Sequence, residues 1–264
     1  MHFIGFRYGY FSYFCKHFQV MQKLVSYPLS LIALVLFLLV LVVFHPIQYI
    51  CFNLFGYQAH KKSVDYLNLC LLRIGHIVGT TYRVSGRHLI PEGTPVIFVA
   101  NHQSLYDIVG IIWFMRRFHP KFVSKAELGN GIPSVSYNLR HGGSVLIDRK
   151  DPKQALPAIK KLAEYIEQHR RSAVIFPEGT RSKNGKPKEF AQSGLKILCK
   201  FAPSACVVPI SINNSWKVVR YGIFPLGLGN HVTFTVHPPL FVKEMSFETL
   251  MQQTEKAVVD GIKF

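Results

Sequence analysis

The sequence predicts a mostly parallel α/β sheet flanked by helices, with an N-terminal membrane-embedded helical segment, and three observations point there. Residues 27–44 read YPLSLIALVLFLLVLVVF, a run without a charge and near the length a bilayer asks of a helix. Beyond Ser63 the pattern changes to short β-branched runs, bounded by turn residues and interleaved with amphipathic stretches. The 264 residues leave room for one sizeable α/β domain and an appendage, not for two enzymatic domains. The expected division is an anchor over 1–63 and an α/β domain over 64–264.

In the anchor, Lys16 and Lys23 precede the apolar run, Lys61, Lys62 and Arg73 follow it, and a second apolar stretch, IQYICFNLF, comes directly after Pro46. Positive flanks on both sides favour a hairpin kinked near Pro46 and dipping into one leaflet, over a single span. The apolar core runs into His45-Pro46-Ile47-Gln48 without a small-residue cleavage site, so it reads as a retained anchor and not a signal peptide. The expected location is the inner (cytoplasmic) membrane, with the α/β domain on the cytoplasmic face.

In the remainder, strands are expected at 81–84, 95–100, 121–124, 144–147, 173–176, 206–212 and 232–236, and helices at 106–117, 152–170 and 193–200. Strands that alternate with helices argue for a largely parallel, buried sheet with function on the loops at strand ends.

Lys and Arg number 31 against 14 Asp and Glu, a formal charge of +17, so the partner is anionic: nucleic acid, an acidic membrane surface or a phosphorylated substrate. The basic blocks at 170–171, 181–183 and 186–188 carry no zinc-finger, RNP-type or heptad-linked pattern, which removes nucleic acid from the expected partners. The five cysteines show neither C-x-x-C pairs nor zinc spacing, so no metal site is expected.

The sharpest local feature is Asn101-His102-Gln103-Ser104-Leu105-Tyr106-Asp107, between the apolar run PVIFVA and the helix-like DIVGIIWFM. Five residues on one helix would set His102 and Asp107 about 140° apart, so a contact requires His102 in the loop and Asp107 in the first helical turn. There the carboxylate would accept a hydrogen bond from the imidazole, fix its tautomer and make a general-base dyad. A plainer reading competes with this one: Ser104 followed three residues later by Asp107 is also a helix N-cap pattern.

Further along come Gly143-Ser-Val-Leu-Ile-Asp-Arg149, Phe176-Pro-Glu-Gly-Thr-Arg181-Ser182 and Val207-Val-Pro209-Ile, each following or forming an expected strand. With NHQSLYD these resemble, in order and residue type, the four motifs of the glycerophospholipid acyltransferase family, most closely the 1-acyl-sn-glycerol-3-phosphate acyltransferases. The resemblance covers roughly residues 80–240. It implies that His102 is the base and Asp107 its orienting partner. It further implies that Gly143, Glu178, Gly179, Thr180, Arg181 and Pro209 belong to the substrate site, with Arg149 and Lys125 on the acceptor phosphate. The match departs over 128–140, where the sequence is more polar than the family's aromatic-rich stretch. The partners so implied are a phospholipid membrane, lysophosphatidic acid, and acyl-CoA or acyl carrier protein as the acyl donor, with no further cofactor.

No G-x-S-x-G elbow, P-loop, G-x-G-x-x-G or metal-ligand cluster occurs, which removes support from serine acyl-enzyme hydrolysis, nucleotide binding and zinc chemistry. The alternatives are acylation of glycerol 3-phosphate or another lysolipid, a thioesterase, and a non-catalytic membrane adaptor whose basic face docks anionic lipid.

Overall fold

A computed structural model describes residues 3–148 and 151–263. Its strands are β1 (Thr81–Ser85), β2 (Val96–Ala100), β3 (Pro120–Lys125), β4 (Val145–Ile147), β5 (Ser172–Ile175), β6 (Cys206–Asn213), β7 (His231–Val236) and β8 (Leu240–Phe241). The helices are α1 (Phe3–Gly75), α2 (Tyr106–Phe114), α3 (Val135–His141), α4 (Pro152–His169), α5 (Gln192–Phe201), α6 (Ser215–Val218) and α7 (Phe247–Asp260). One sheet runs β1-β7-β6-β2-β5-β3-β4, with β8 against β6. Five pairings are parallel, and only β6 pairs antiparallel, with β7 and β8.

Every residue of VIFVA in β2 and CVVPISIN in β6 is buried, as expected of parallel strands covered on both faces. Alternation along β2 sends Phe98 toward Ile111 and Met115 on one side of the sheet. Ile97 and Val99 point to the other side, against Leu162 and Ile166 of α4, Leu195 and Leu198 of α5, and Met251 of α7. The seven strands read from the sequence all form. The sequence reading missed α3, α6, α7 and β8. For α7 a signal was present: Ser246 caps the helix by accepting the Thr249 N–H, and Leu250, Met251, Thr254 and Val258 bury one face.

The apolar segment is a helical hairpin, and its turn falls at Gly56, not near Pro46. Leu41 clusters with Leu67, Leu71 and Leu72, although Leu41 and Leu71 would lie about 45 Å apart on a straight helix. Across the turn, the rings of Phe52 and His60 sit 5.5 Å apart. Helix runs through Pro28 and Pro46, whereas Gly56 breaks it at φ 74° and ψ −168°. Proline removes one hydrogen bond and bends a helix, but only glycine enters this reversal without a Cβ penalty.

The first leg of the hairpin has two faces. Ser30, Leu41 and Gln48 are buried against the domain. There the Leu226 N–H donates to Ser30 Oγ at 2.8 Å, and the Ser134 hydroxyl donates to the Leu41 carbonyl at 2.6 Å. On the other face Leu24, Leu31, Val35, Leu38, Val42 and Leu54 are each more than half exposed, a stripe far larger than a water-facing helix carries.

Candidate active site

Parallel pairing brings the C-terminal ends of β6, β2, β5 and β3 side by side, and the loops leaving them build the site. His102 leaves β2 in an irregular loop, and Asp107 lies in the first turn of α2, the arrangement a contact between them requires. His102 Nδ1 and Asp107 Oδ2 are 2.9 Å apart.

Asp107 is fully buried, and every donor around it is spoken for. Its Oδ2 also accepts the backbone N–H groups of Gln103 at 2.6 Å and Ser104 at 2.8 Å, while Oδ1 accepts the hydroxyl of Ser215. The N-cap reading and the dyad reading are therefore both realised by one carboxylate. A carboxylate held by two backbone donors and a hydroxyl is fixed in place and cannot rotate away. It takes the Nδ1–H of the imidazole, which leaves the Nε2 lone pair as the available base. The ring of His102 stacks on Phe176 at 4.1 Å, which fixes its plane.

Glu178, from the loop after β5, is buried, and both oxygens accept backbone N–H groups: Oε1 from His102 at 2.8 Å and Oε2 from Lys188 at 3.2 Å. Burial pushes its carboxyl above the usual range, and the two backbone bonds pull the other way. The Ser182 N–H closes the same junction by donating to the His102 carbonyl at 2.8 Å. Glu178 thus fastens the β5 loop to the His102 loop. On the other flank, the Gln103 amide oxygen accepts the Ser215 N–H at 3.1 Å, tying the β6 loop in.

Of the other residues singled out from sequence, Thr180 and Arg181 lie exposed on the same loop, with Lys188 Nζ donating to Thr180 Oγ1 at 2.6 Å and to the Arg181 carbonyl at 3.3 Å. Gly179 adopts φ 67°, the left-handed region that favours glycine, and its N–H donates to the Phe176 carbonyl at 3.0 Å, closing the turn after β5. Lys125 ends β3 at the same end of the sheet, two strands from β2, and is exposed. Among the described residues neither Arg181 nor Lys125 has an acidic partner. Arg149 lies outside the described residues; the β4 end that precedes it, Ile147, pairs with Lys125. Gly143 does not join the cluster: it precedes β4 at the opposite end, at φ 90°, where a Cβ would press on the Tyr165 hydroxyl at 3.0 Å. Pro209 sits within β6 opposite Val99, fully inside the sheet. The sequence reading missed Ser215, Gln103 and Lys188. Ser215 stands 108 positions from its partner, and only the β2/β6 pairing brings the two together.

A profile described as Acyltransferase matches residues 81–213. The chain belongs to this family. Its relatives include a chloroplastic 1-acyl-sn-glycerol-3-phosphate acyltransferase of Arabidopsis thaliana, 31% identical over 160 residues, which are 60% of this chain and 43% of the relative. A 1-acyl-sn-glycerol-3-phosphate acyltransferase of Helicobacter pylori is 36% identical over 133 residues, 47% of this chain and 54% of the relative. The matched stretch thus spans about half the length of these relatives. Among solved structures, the 1-acyl-sn-glycerophosphate (LPA) acyltransferase PlsC of Thermotoga maritima superposes with a TM-score of 0.75 at 25% identity, covering 91% of this chain and 95% of that one. The match spans β1 to the end of β6, the part of the chain that holds His102, Asp107 and Glu178.

Proposed function

We propose that this chain transfers a fatty acyl group from a thioester, acyl-CoA or acyl carrier protein, to the sn-2 hydroxyl of 1-acyl-sn-glycerol 3-phosphate, giving phosphatidic acid for phospholipid synthesis. The observation that carries this reading is the imidazole of His102, held by Asp107 at 2.9 Å with Nε2 left as a base at the mouth of the sheet. Nε2 takes the proton of the acceptor hydroxyl as its oxygen attacks the thioester carbonyl. When the tetrahedral intermediate collapses, the thiolate leaves and takes the proton back from the imidazolium. No covalent enzyme intermediate and no cofactor besides the donor enters the scheme.

Arg181 and Lys125, together with Arg149, bind the acceptor phosphate in this reading, since an arginine fork matches a phosphate dianion and both described cations lack an acidic partner. The charge of +17 suits acidic donors and an anionic membrane surface. The exposed stripe of α1 lies in one leaflet of the inner membrane, which keeps the site against the bilayer that supplies its acceptor.

The test is an assay of the purified full chain with labelled acyl-CoA and acyl carrier protein against 1-acylglycerol 3-phosphate, glycerol 3-phosphate, a lysophosphatidylcholine and a monoacylglycerol. Label in phosphatidic acid supports the proposal. Label preferentially in another acceptor reassigns the substrate, and label only in free fatty acid makes the chain a thioesterase.

A further inference from the structure

We propose that the cleft at the N-terminal end of β3 is a second, separate anion site, which takes a phosphate group between Lys121, Lys61 and His60. It lies away from His102. β3 starts here at Pro120 and reaches the catalytic end only at Lys125, about 17 Å along the strand. The lining brings His60, Lys61 and Asp65 from the second leg of α1 against His119, Lys121 and Asn138.

Cations outnumber carboxylates among the described residues of this cleft. Lys121 is 6% exposed, and among the described residues no carboxylate lies within ion-pair distance of it; its ammonium sits 4.9 Å over the ring of Tyr57. The same ring carries the guanidinium of Arg171 at 3.8 Å. The one nearby carboxylate, Asp65, is engaged by Lys61 at 2.5 Å. His60, 1% exposed, has a buried Nε2 with no hydrogen-bond partner among the described residues. The other imidazole, His119, is engaged through Nδ1 with the Tyr57 hydroxyl at 2.8 Å.

A buried ammonium without a direct ion pair and a buried imidazole nitrogen without a partner each cost the fold. One oxyanion would satisfy both, since Lys121 and Lys61 supply ammonium donors and His60 supplies an Nε2–H. The electrostatics agree: burial, then Arg171 and Lys61, bring Lys121 down to about 7 against a smaller opposing pull from Asp65, and burial, then Lys61, Lys121 and Arg171, bring His119 down to about 4. The ligand is a phosphate group, whether free inorganic phosphate or the headgroup of an anionic lipid.

The experiment is thermal unfolding of the detergent-solubilised full chain in sodium phosphate against sodium chloride of equal ionic strength, with dihexanoyl phosphatidylglycerol against dihexanoyl phosphatidylcholine as the lipid arm. For wild type, phosphate or phosphatidylglycerol raises the midpoint saturably, by about 3 to 6 °C at tenfold saturation. Whichever arm responds names the source. Arg181→Ala, which removes one cation of the proposed acceptor clamp, still leaves a saturable response, because the cleft at the other end of the sheet does not depend on it. Lys121→Met loses it, while unfolding in chloride no earlier than wild type. Lys121→Gln, which keeps a polar tip without the charge, loses it too. The proposal is overturned if neither anion exceeds its control, if the response disappears with Arg181→Ala, or if both Lys121 variants retain it. It is also overturned if both Lys121 variants unfold earlier in chloride, because the ammonium would then already be paired within the protein.

Discussion

The two ends of the central sheet treat buried polarity in opposite ways. At the C-terminal end, Asp107 meets four donors and Glu178 two, so each buried carboxylate is saturated and one imidazole nitrogen is left over. At the N-terminal end, Lys61, Lys121 and Arg171 crowd around Asp65 and Tyr57, and cations exceed carboxylates among the described residues. A saturated network is rigid and sets a single geometry, which suits proton transfer; a network short of acceptors is incomplete until an anion arrives. The first end should respond to mutation in rate, the second in stability.

The largest effect expected from this contrast is on rate. His102→Ala removes the base and should lower kcat by about 10² to 10⁴, with an unchanged unfolding midpoint. A folded variant with near-wild-type kcat would end the mechanism. Next comes Arg181→Ala, which in the proposed reading removes a charged hydrogen-bonding partner of the acceptor. A loss of about tenfold to a hundredfold in kcat/KM is expected, mainly as a raised KM for the phosphorylated acceptor. With a monoacylglycerol acceptor the same variant should lose little, and an equal loss on both acceptors would reassign Arg181 to the fold or the donor. Smaller again is Ser215→Ala. Asp107 keeps three donors without it, so kcat should fall by about tenfold or less with KM unmoved; a raised KM instead would place Ser215 on the substrate.

The smallest effect sits at the other end of the sheet and depends on pH. Lys121 has its folded pKa brought down to about 7 from the ordinary 10.5, so between those values the unfolded chain holds a proton that the folded chain lacks. Stability therefore rises with pH across that window, and is lost as pH falls toward 7. In chloride, the midpoint of Lys121→Met should exceed that of wild type most at pH 6, by a few degrees, with the gap closing toward pH 10. A gap that is constant from pH 6 to 10 would show that the ammonium is not strained by burial.

Much of the candidate site was legible in the sequence because it is local. His102 and Asp107 lie five residues apart at a strand end, and VIFVA has the continuous apolar character of a strand covered on both faces. The partners that hold the dyad were not legible: Ser215 is 108 positions away from Asp107, and Glu178 76 from His102, so both depend on which strands neighbour β2. Glu178 illustrates the difference between a motif and its geometry, since its place in FPEGTRS suggested a substrate contact while its oxygens are spent on two backbone N–H groups. The hairpin turn was misplaced for a related reason. Pro46 is the conspicuous breaker by sequence, yet the helix carries it, and the reversal needs the positive φ of Gly56. The cleft beside Lys121 carries no motif at all, because hairpin and strand assemble it from separate segments.

The central claim is that Asp107 acts only through His102, as one unit. Its most direct test is a kinetic cycle: kcat/KM for acyl transfer to 1-acylglycerol 3-phosphate by wild type, His102→Ala, Asp107→Asn and the double variant, with each fold checked by its unfolding midpoint. Residues that act as a unit are strongly non-additive. The double variant should be no slower than His102→Ala alone; losses that multiply, so that Asp107→Asn costs its full factor even without the imidazole, would contradict the dyad.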